Sequence, residues 1–119
     1  MNYDYYKTLI GEYINLGRSK ERLLGEIGFP EELKLPADGL TKAIDIIAAA
    51  AENSMKELVE LSGLSMRAFA EKYMIPYRSI QNWCAEGKEA RTPPDYLALL
   101  IGYELITEIK VEDADNGDI

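Results

Sequence analysis

Apolar residues in this chain recur at intervals of three and four along most of its length, and no segment alternates strictly between apolar and polar. A half-buried strand needs the two-residue repeat, whereas a half-buried helix needs the three-and-four repeat. An all-α fold is therefore expected. Tyr3, Tyr6, Leu9, Ile10, Tyr13 and Ile14 place a first amphipathic helix, with Gly17 as its stop. Ser19 is positioned to cap a short second helix containing Leu23, Leu24 and Ile27. Gly28, Pro30, Pro36 and Gly39 punctuate a loop, after which Thr41 is expected to cap a third helix carrying Ile44, Ile47, Ala48 and Ala51. The small side chains Ala48–Ala51 would let a neighbour approach closely, which marks this as the central buried helix.

The signals sharpen from residue 54. Ser54-Met55-Lys56-Glu57 fits a capping box, in which the serine and glutamate side chains each satisfy a backbone donor. That helix would bury Leu58, Val59 and Leu61 and stop at Ser62-Gly63. Ser65 then caps a helix with Phe69 and Ala70 inward, and a break at Tyr73–Pro76 leads to another from Tyr77 to Ala85 with Ile80 and Trp83 inward. Pro93-Pro94 opens a last helix, proline suiting a first turn that has no use for its missing N–H. Its inward face is expected to be Tyr96 or Leu97, with Leu100, Ile101 and Leu105.

Composition limits what such a chain can do. The 119 residues hold 13 basic and 21 acidic side chains and no histidine, for a net charge of -8. Without histidine there is no Ser-His-Asp or Cys-His nucleophile and no imidazole zinc ligand. Carboxylate pairs such as Glu31-Glu32 and Asp113/Asp115 fall in a loop and a tail with no orienting partner. Neither an enzyme nor a cofactor or metal site is expected. The single cysteine, Cys84, cannot form an internal disulfide, and with no signal peptide or bilayer-length apolar run a cytoplasmic location is expected, with no membrane partner. The acidity is unevenly spread: residues 1–53 carry a net -3, residues 54–106 a net -1, and residues 107–119 a net -4. The chain accordingly divides into an N-terminal helical extension (1–53), a near-neutral helical domain (54–106) and an acidic tail (107–119) expected to be disordered.

Residues Leu61–Gly87 read LSGLSMRAFAEKYMIPYRSIQNWCAEG. Two short helices joined by a turn of about four residues are what a helix-turn-helix requires. Ala70 supplies the small residue where the helices cross, and Leu64, Phe69, Ile75, Ile80 and Trp83 supply the apolar anchors. This stretch resembles the lambda-repressor-like, or Cro/repressor-type, helix-turn-helix family of small bacterial and phage regulators. The matching elements are Gly63-Leu64-Ser65, Phe69-Ala70, Ile75, and Ile80 with Trp83. Within that family the likeness is greatest to regulators with an "IP-x-R-[ST]-IQNW" stretch followed by "PP-x-Y", which here are Ile75–Trp83 and Pro93–Tyr96. It covers about residues 54–105. Three positions depart from the family pattern: Met66 stands for a usual glutamine, Met74 for the turn glycine, and Cys84 for a common glutamate.

The resemblance implies a recognition helix lying in the DNA major groove. Tyr77, Arg78, Gln81 and Asn82 would then face base edges, arginine matching guanine and glutamine or asparagine matching adenine through paired hydrogen bonds. Ser65, Arg67, Ser79, Lys88 and Arg91 would meet phosphates. A plainer reading stands beside each: Arg78, Gln81 and Asn82 as solvated polar residues, Trp83 as core, Cys84 as a half-buried small residue, and Lys88 and Arg91 as loop charges paired with Glu86 and Glu89. The expected function is sequence-specific regulation of transcription, as a homodimeric repressor of phage or mobile-element type on a palindromic operator, with the N-terminal helices as a dimerising or auxiliary element. The alternative is an acidic protein-binding module on the same scaffold, such as an antitoxin, a nuclease inhibitor (an anti-CRISPR, for instance) or a partial DNA mimic. An acidic face over Tyr77–Asn82 would favour the second, and a neutral or basic face the first.

Overall fold

The computed structural model describes residues 2–27, 37–86 and 91–109, and within them the fold is all-α with no strand. Among the described residues seven helices follow in chain order: α1 (Tyr3–Asn15), α2 (Lys20–Ile27), α3 (Ala37–Ala51), α4 (Met55–Ser62), α5 (Met66–Tyr73), α6 (Tyr77–Cys84) and α7 (Asp95–Thr107). Among the described residues no helix is long and apolar enough to cross a membrane.

Local chemistry sets most of the boundaries. The Asn2 side chain accepts from the Tyr5 N–H at 2.7 Å to open α1, and the Ser19 hydroxyl accepts from Arg22 N–H at 3.2 Å to open α2. Ser54 and Ser65 do the same for α4 and α5, accepting from Glu57 N–H and Ala68 N–H. Each such cap satisfies one of the amides that the first helical turn leaves without a partner. Gly63 closes α4 in the left-handed region at φ 76°, a conformation that costs glycine nothing.

The third helix departs from its sequence reading. It begins at Ala37, directly after Pro36 in the chain, so Gly39 lies inside it and Thr41 is a first-turn-and-beyond residue rather than its cap. Burial of Leu40 and Ala43 against the rest of the core outweighs the roughly 1 kcal/mol that an internal glycine costs a helix. Otherwise α3 is the central element that its alanines suggest. It packs against α1, α2, α4 and α7, with Ile46, Ile47 and Ala48–Ala50 buried.

One continuous cluster of buried side chains joins the two parts of the chain, running from Tyr6, Leu9 and Tyr13 through α3 to Leu58, Phe69, Ile80, Ile101 and Leu105. The buried Tyr6 hydroxyl donates to the Leu99 carbonyl oxygen at 2.7 Å, tying α1 to α7 and leaving no unpaired phenol inside. The N-terminal helices thus pack on the same core as the helices that follow residue 54. The acidic tail expected to be disordered lies outside the described residues from position 110 onward.

The last helix corrects the sequence reading in its inward face. Ala98, Ile101, Gly102, Leu105 and Ile106 are buried, Leu97 is half-buried, and Tyr96 and Leu100 are 66% and 50% exposed. Because α7 is apolar almost all round, its periodicity carries no preferred face. The selection falls to Gly102. A Cβ there would lie 2.7 Å from the Tyr6 hydroxyl and 2.9 Å from the Ala50 Cβ, so only glycine lets α7 approach α1 and α3 this closely.

The turn between α5 and α6 is closed by Met74 in the left-handed region at φ 55°. Its N–H and that of Ile75 reach back to Glu71 and Ala70 carbonyl oxygens, which completes the cap. A side chain in that region costs about 1 kcal/mol or more, and at 91% exposure this one packs against almost nothing in return. Met74→Gly is therefore expected to stabilise the protein by about 0.5–1 kcal/mol, after allowance for the freer unfolded chain. Chemical denaturation checks it, and a loss of stability would show that the methionine makes a contact the turn needs.

Candidate nucleic-acid interface

The pair α5 and α6 is built from two eight-residue helices, each too short to persist alone in water. Phe69, Ala70 and Ile80 bury their inner faces, and Phe69 packs on Tyr73 with ring centroids 4.8 Å apart. The far end of α5 is tied to α7. The Tyr73 hydroxyl donates to Glu104, and the Lys72 ammonium lies 2.6 Å from Glu108 and 3.6 Å from Glu104. Burial and the hydrogen bond to Glu104 both push the Tyr73 phenol far above its ordinary pKa, so it remains a donor at any physiological pH. The Lys72 hydrogen bond in turn holds the Glu108 carboxyl below its ordinary value. Lys56 on α4 and Glu86 just beyond α6 close the other end at 2.7 Å.

These anchors were not visible in the sequence. Their partners lie 30 to 36 positions apart, and no helical period links them. One of them engages Glu86, which pairs with Lys56 on α4.

On the outer face, Arg78 and Gln81 are exposed on α6, while Tyr77, Ser79 and Asn82 are half-buried. No described carboxylate pairs with Arg78. Between Glu71 and Glu86 the chain contains Lys72 and Arg78 and no acidic residue; with Lys72 paired to Glu104 and Glu108, Arg78 is the charge that α6 itself presents. Pro76 precedes α6 and gives it no side-chain cap; its carbonyl oxygen accepts from the Ser79 N–H at 2.9 Å and the Ile80 N–H at 3.3 Å. Trp83 is half-buried, only partly the core residue its stripe suggested, and Cys84 is half-buried as its size suggested. Burial raises the Cys84 thiol pKa, which keeps it protonated and unreactive.

The other expected phosphate contacts are distributed around this face. Ser65 is exposed at the start of α5, its hydroxyl engaged as the cap described above. Arg67 is also exposed, with its guanidinium carbon 4.2 Å from the centre of the Tyr77 ring. A groove of about 390 Å³ between α5 and α6 is lined by Arg67, Glu71, Met74 and Tyr77 among others. Arg91 is exposed, and its N–H donates to the Asn82 carbonyl oxygen at 3.1 Å, which returns the chain to the end of α6. Lys88 lies outside the described residues. The structure thus brings Ser65, Arg67, Tyr77, Arg78, Gln81, Asn82 and Arg91 onto the α5–α6 unit and its flanks. No protein-family model matches the chain, and no curated protein or solved structure matches it either.

Proposed function

We propose that the protein binds double-stranded DNA through α6 and acts as a sequence-specific regulator of transcription. The observation that carries this reading is an exposed pair, Arg78 and Gln81 one turn apart, on a helix that itself holds no carboxylate and belongs to a helix pair anchored at both ends. Anchoring matters because base readout needs donors held in place before the duplex arrives. Arg78 suits a guanine edge and Gln81 an adenine edge, with Asn82, half-buried, at the margin. Ser65, Ser79 and Arg91 lie within reach of the flanking backbone in this arrangement, and Lys88 would join them.

A single eight-residue helix offers three or four side chains to the groove, too few for useful specificity alone. The acidic chain also has little non-specific affinity to add. The active form is accordingly a two-fold dimer on a palindromic site, in the manner of a repressor that occludes an operator. The competing reading, an acidic module for a protein partner, calls for an acidic face over Tyr77–Asn82, and that segment itself holds no carboxylate.

Selection from a random duplex pool, followed by titration at two salt concentrations, tests the proposal. Arg78→Ala is expected to weaken the selected duplex about tenfold and to relax preference at one base pair per half-site, leaving the helical signal in circular dichroism unchanged. Failure of the wild-type protein to bind any duplex at low salt would end the DNA reading.

A further inference from the structure

Tyr77 occupies the first position of α6, where a side chain would ordinarily be counted among those facing base edges. Its surroundings suit a different task. The ring is half-buried, and the Arg67 guanidinium from α5 lies over it at 4.2 Å. No described carboxylate pairs with Arg67, and Glu71, one turn further along α5, makes no ion pair with it. The guanidinium therefore lies against the ring without a carboxylate partner among the described residues, which leaves its N–H donors for a ligand.

We infer that Tyr77 is a positioning residue: its ring holds Arg67 as a preformed clamp for one backbone phosphate, and Tyr77 itself reads no base. This rests on the DNA-binding reading above. Three physical points support it. A guanidinium stacked on an aromatic face keeps its in-plane donors free, and those donors match two oxygens of one phosphate. An exposed arginine otherwise loses most of its rotamer freedom on binding, and a stack formed in the free protein removes part of that cost beforehand. The pair also spans the α5–α6 turn, so the clamp sits beside the N-terminal turn of the helix that carries Arg78. A phosphate gripped there would set the register of Arg78 and Gln81 along the groove.

The experiment compares the wild-type protein with Arg67→Ala, Tyr77→Leu, Tyr77→Phe and the Arg67→Ala/Tyr77→Leu double variant. Each is titrated with the selected duplex and with a scrambled one over a range of salt. Arg67→Ala should lower the slope of log affinity against log salt by about 0.9, the share of one phosphate, and weaken both duplexes alike. Tyr77→Leu should weaken both duplexes about three- to fivefold, Tyr77→Phe should bind as the wild type does, and Tyr77→Leu should add nothing once Arg67 is gone. A Tyr77→Leu penalty of the same size with and without Arg67 overturns the inference. So does a change of sequence preference in Tyr77→Phe, which would make the hydroxyl a base reader. Nuclear magnetic resonance of the free protein separates the two levels. Arg67 side-chain protons should show an aromatic upfield shift that Tyr77→Phe keeps and Tyr77→Leu abolishes. Absence of that shift sinks the clamp whatever the duplexes do. Its presence in a protein that binds no duplex sinks the DNA reading, and the phosphate role with it.

Discussion

Phe69→Ala should cost about 3–5 kcal/mol of folding stability, the range for emptying a fully buried aromatic site. The residue has no exposed surface and packs against the tilted Tyr73 ring, and α5 holds only Phe69 and Ala70 as buried side chains. Polar anchors at Lys72 and Tyr73 are partly exposed and contribute far less per contact. A domain of this size has about 5–15 kcal/mol in total, so the variant should sit close to unfolding at ambient temperature. Trp83, the single tryptophan, lies on α6 and reports the state of the helix pair by fluorescence. Urea transitions followed at Trp83 and by far-ultraviolet circular dichroism should move together, because one continuous cluster supports all the helices. A loss below about 1 kcal/mol would mean that α5 is held by its polar ties instead. An early Trp83 transition would make the helix pair a separately unfolding unit.

Gly102→Ala should destabilise the protein by about 1–2 kcal/mol, against the sign that helix propensity alone suggests. Alanine in a helix interior is favoured over glycine by about 1 kcal/mol, and at an open position that term would prevail. Here the added methyl would meet the Tyr6 hydroxyl at 2.7 Å and the Ala50 Cβ at 2.9 Å. The tyrosine cannot swing away without giving up its hydrogen bond to Leu99, and the alanine Cβ moves only with the α3 backbone. Overpacking of this kind costs about 1–3 kcal/mol or more, which exceeds the propensity gain. Thermal denaturation should show a drop of about 3–10 °C for this change. Tyr6→Phe in the same background should recover part of it by removing the nearer clash. A rise in stability for Gly102→Ala would show that α3 and α7 are not in the close contact described.

The candidate interface was legible in part. The two helices, their caps and their turn are written in Gly63, Ser65, Ile75 and Pro76, whose effects reach no further than a few residues. Arg78 and Gln81 follow as outward residues once Ile80 is inward, since positions on an eight-residue helix are fixed relative to one another. Tyr77 and Asn82 belong to the same helix but are half-buried, which depends on what lies beside them. The Arg67–Tyr77 stack joins residues ten positions apart across a turn whose angle the sequence does not state.

The same division holds for the whole chain. Short-range chemistry determined that the protein is helical, that α4 begins after Ser54 and ends at Gly63, and that α3 carries the small side chains a central helix needs. Each is an interaction within a turn or a property of side-chain size, and so is complete in the sequence. Only the tertiary structure decided that α3 starts at Ala37, that Tyr96 and Leu100 face outward, and that Lys72 and Tyr73 fasten α5 to α7. Those outcomes rest on close approach between distant segments. A helix that is apolar all round has no face of its own, and Gly102 against Tyr6 and Ala50 chooses one for it.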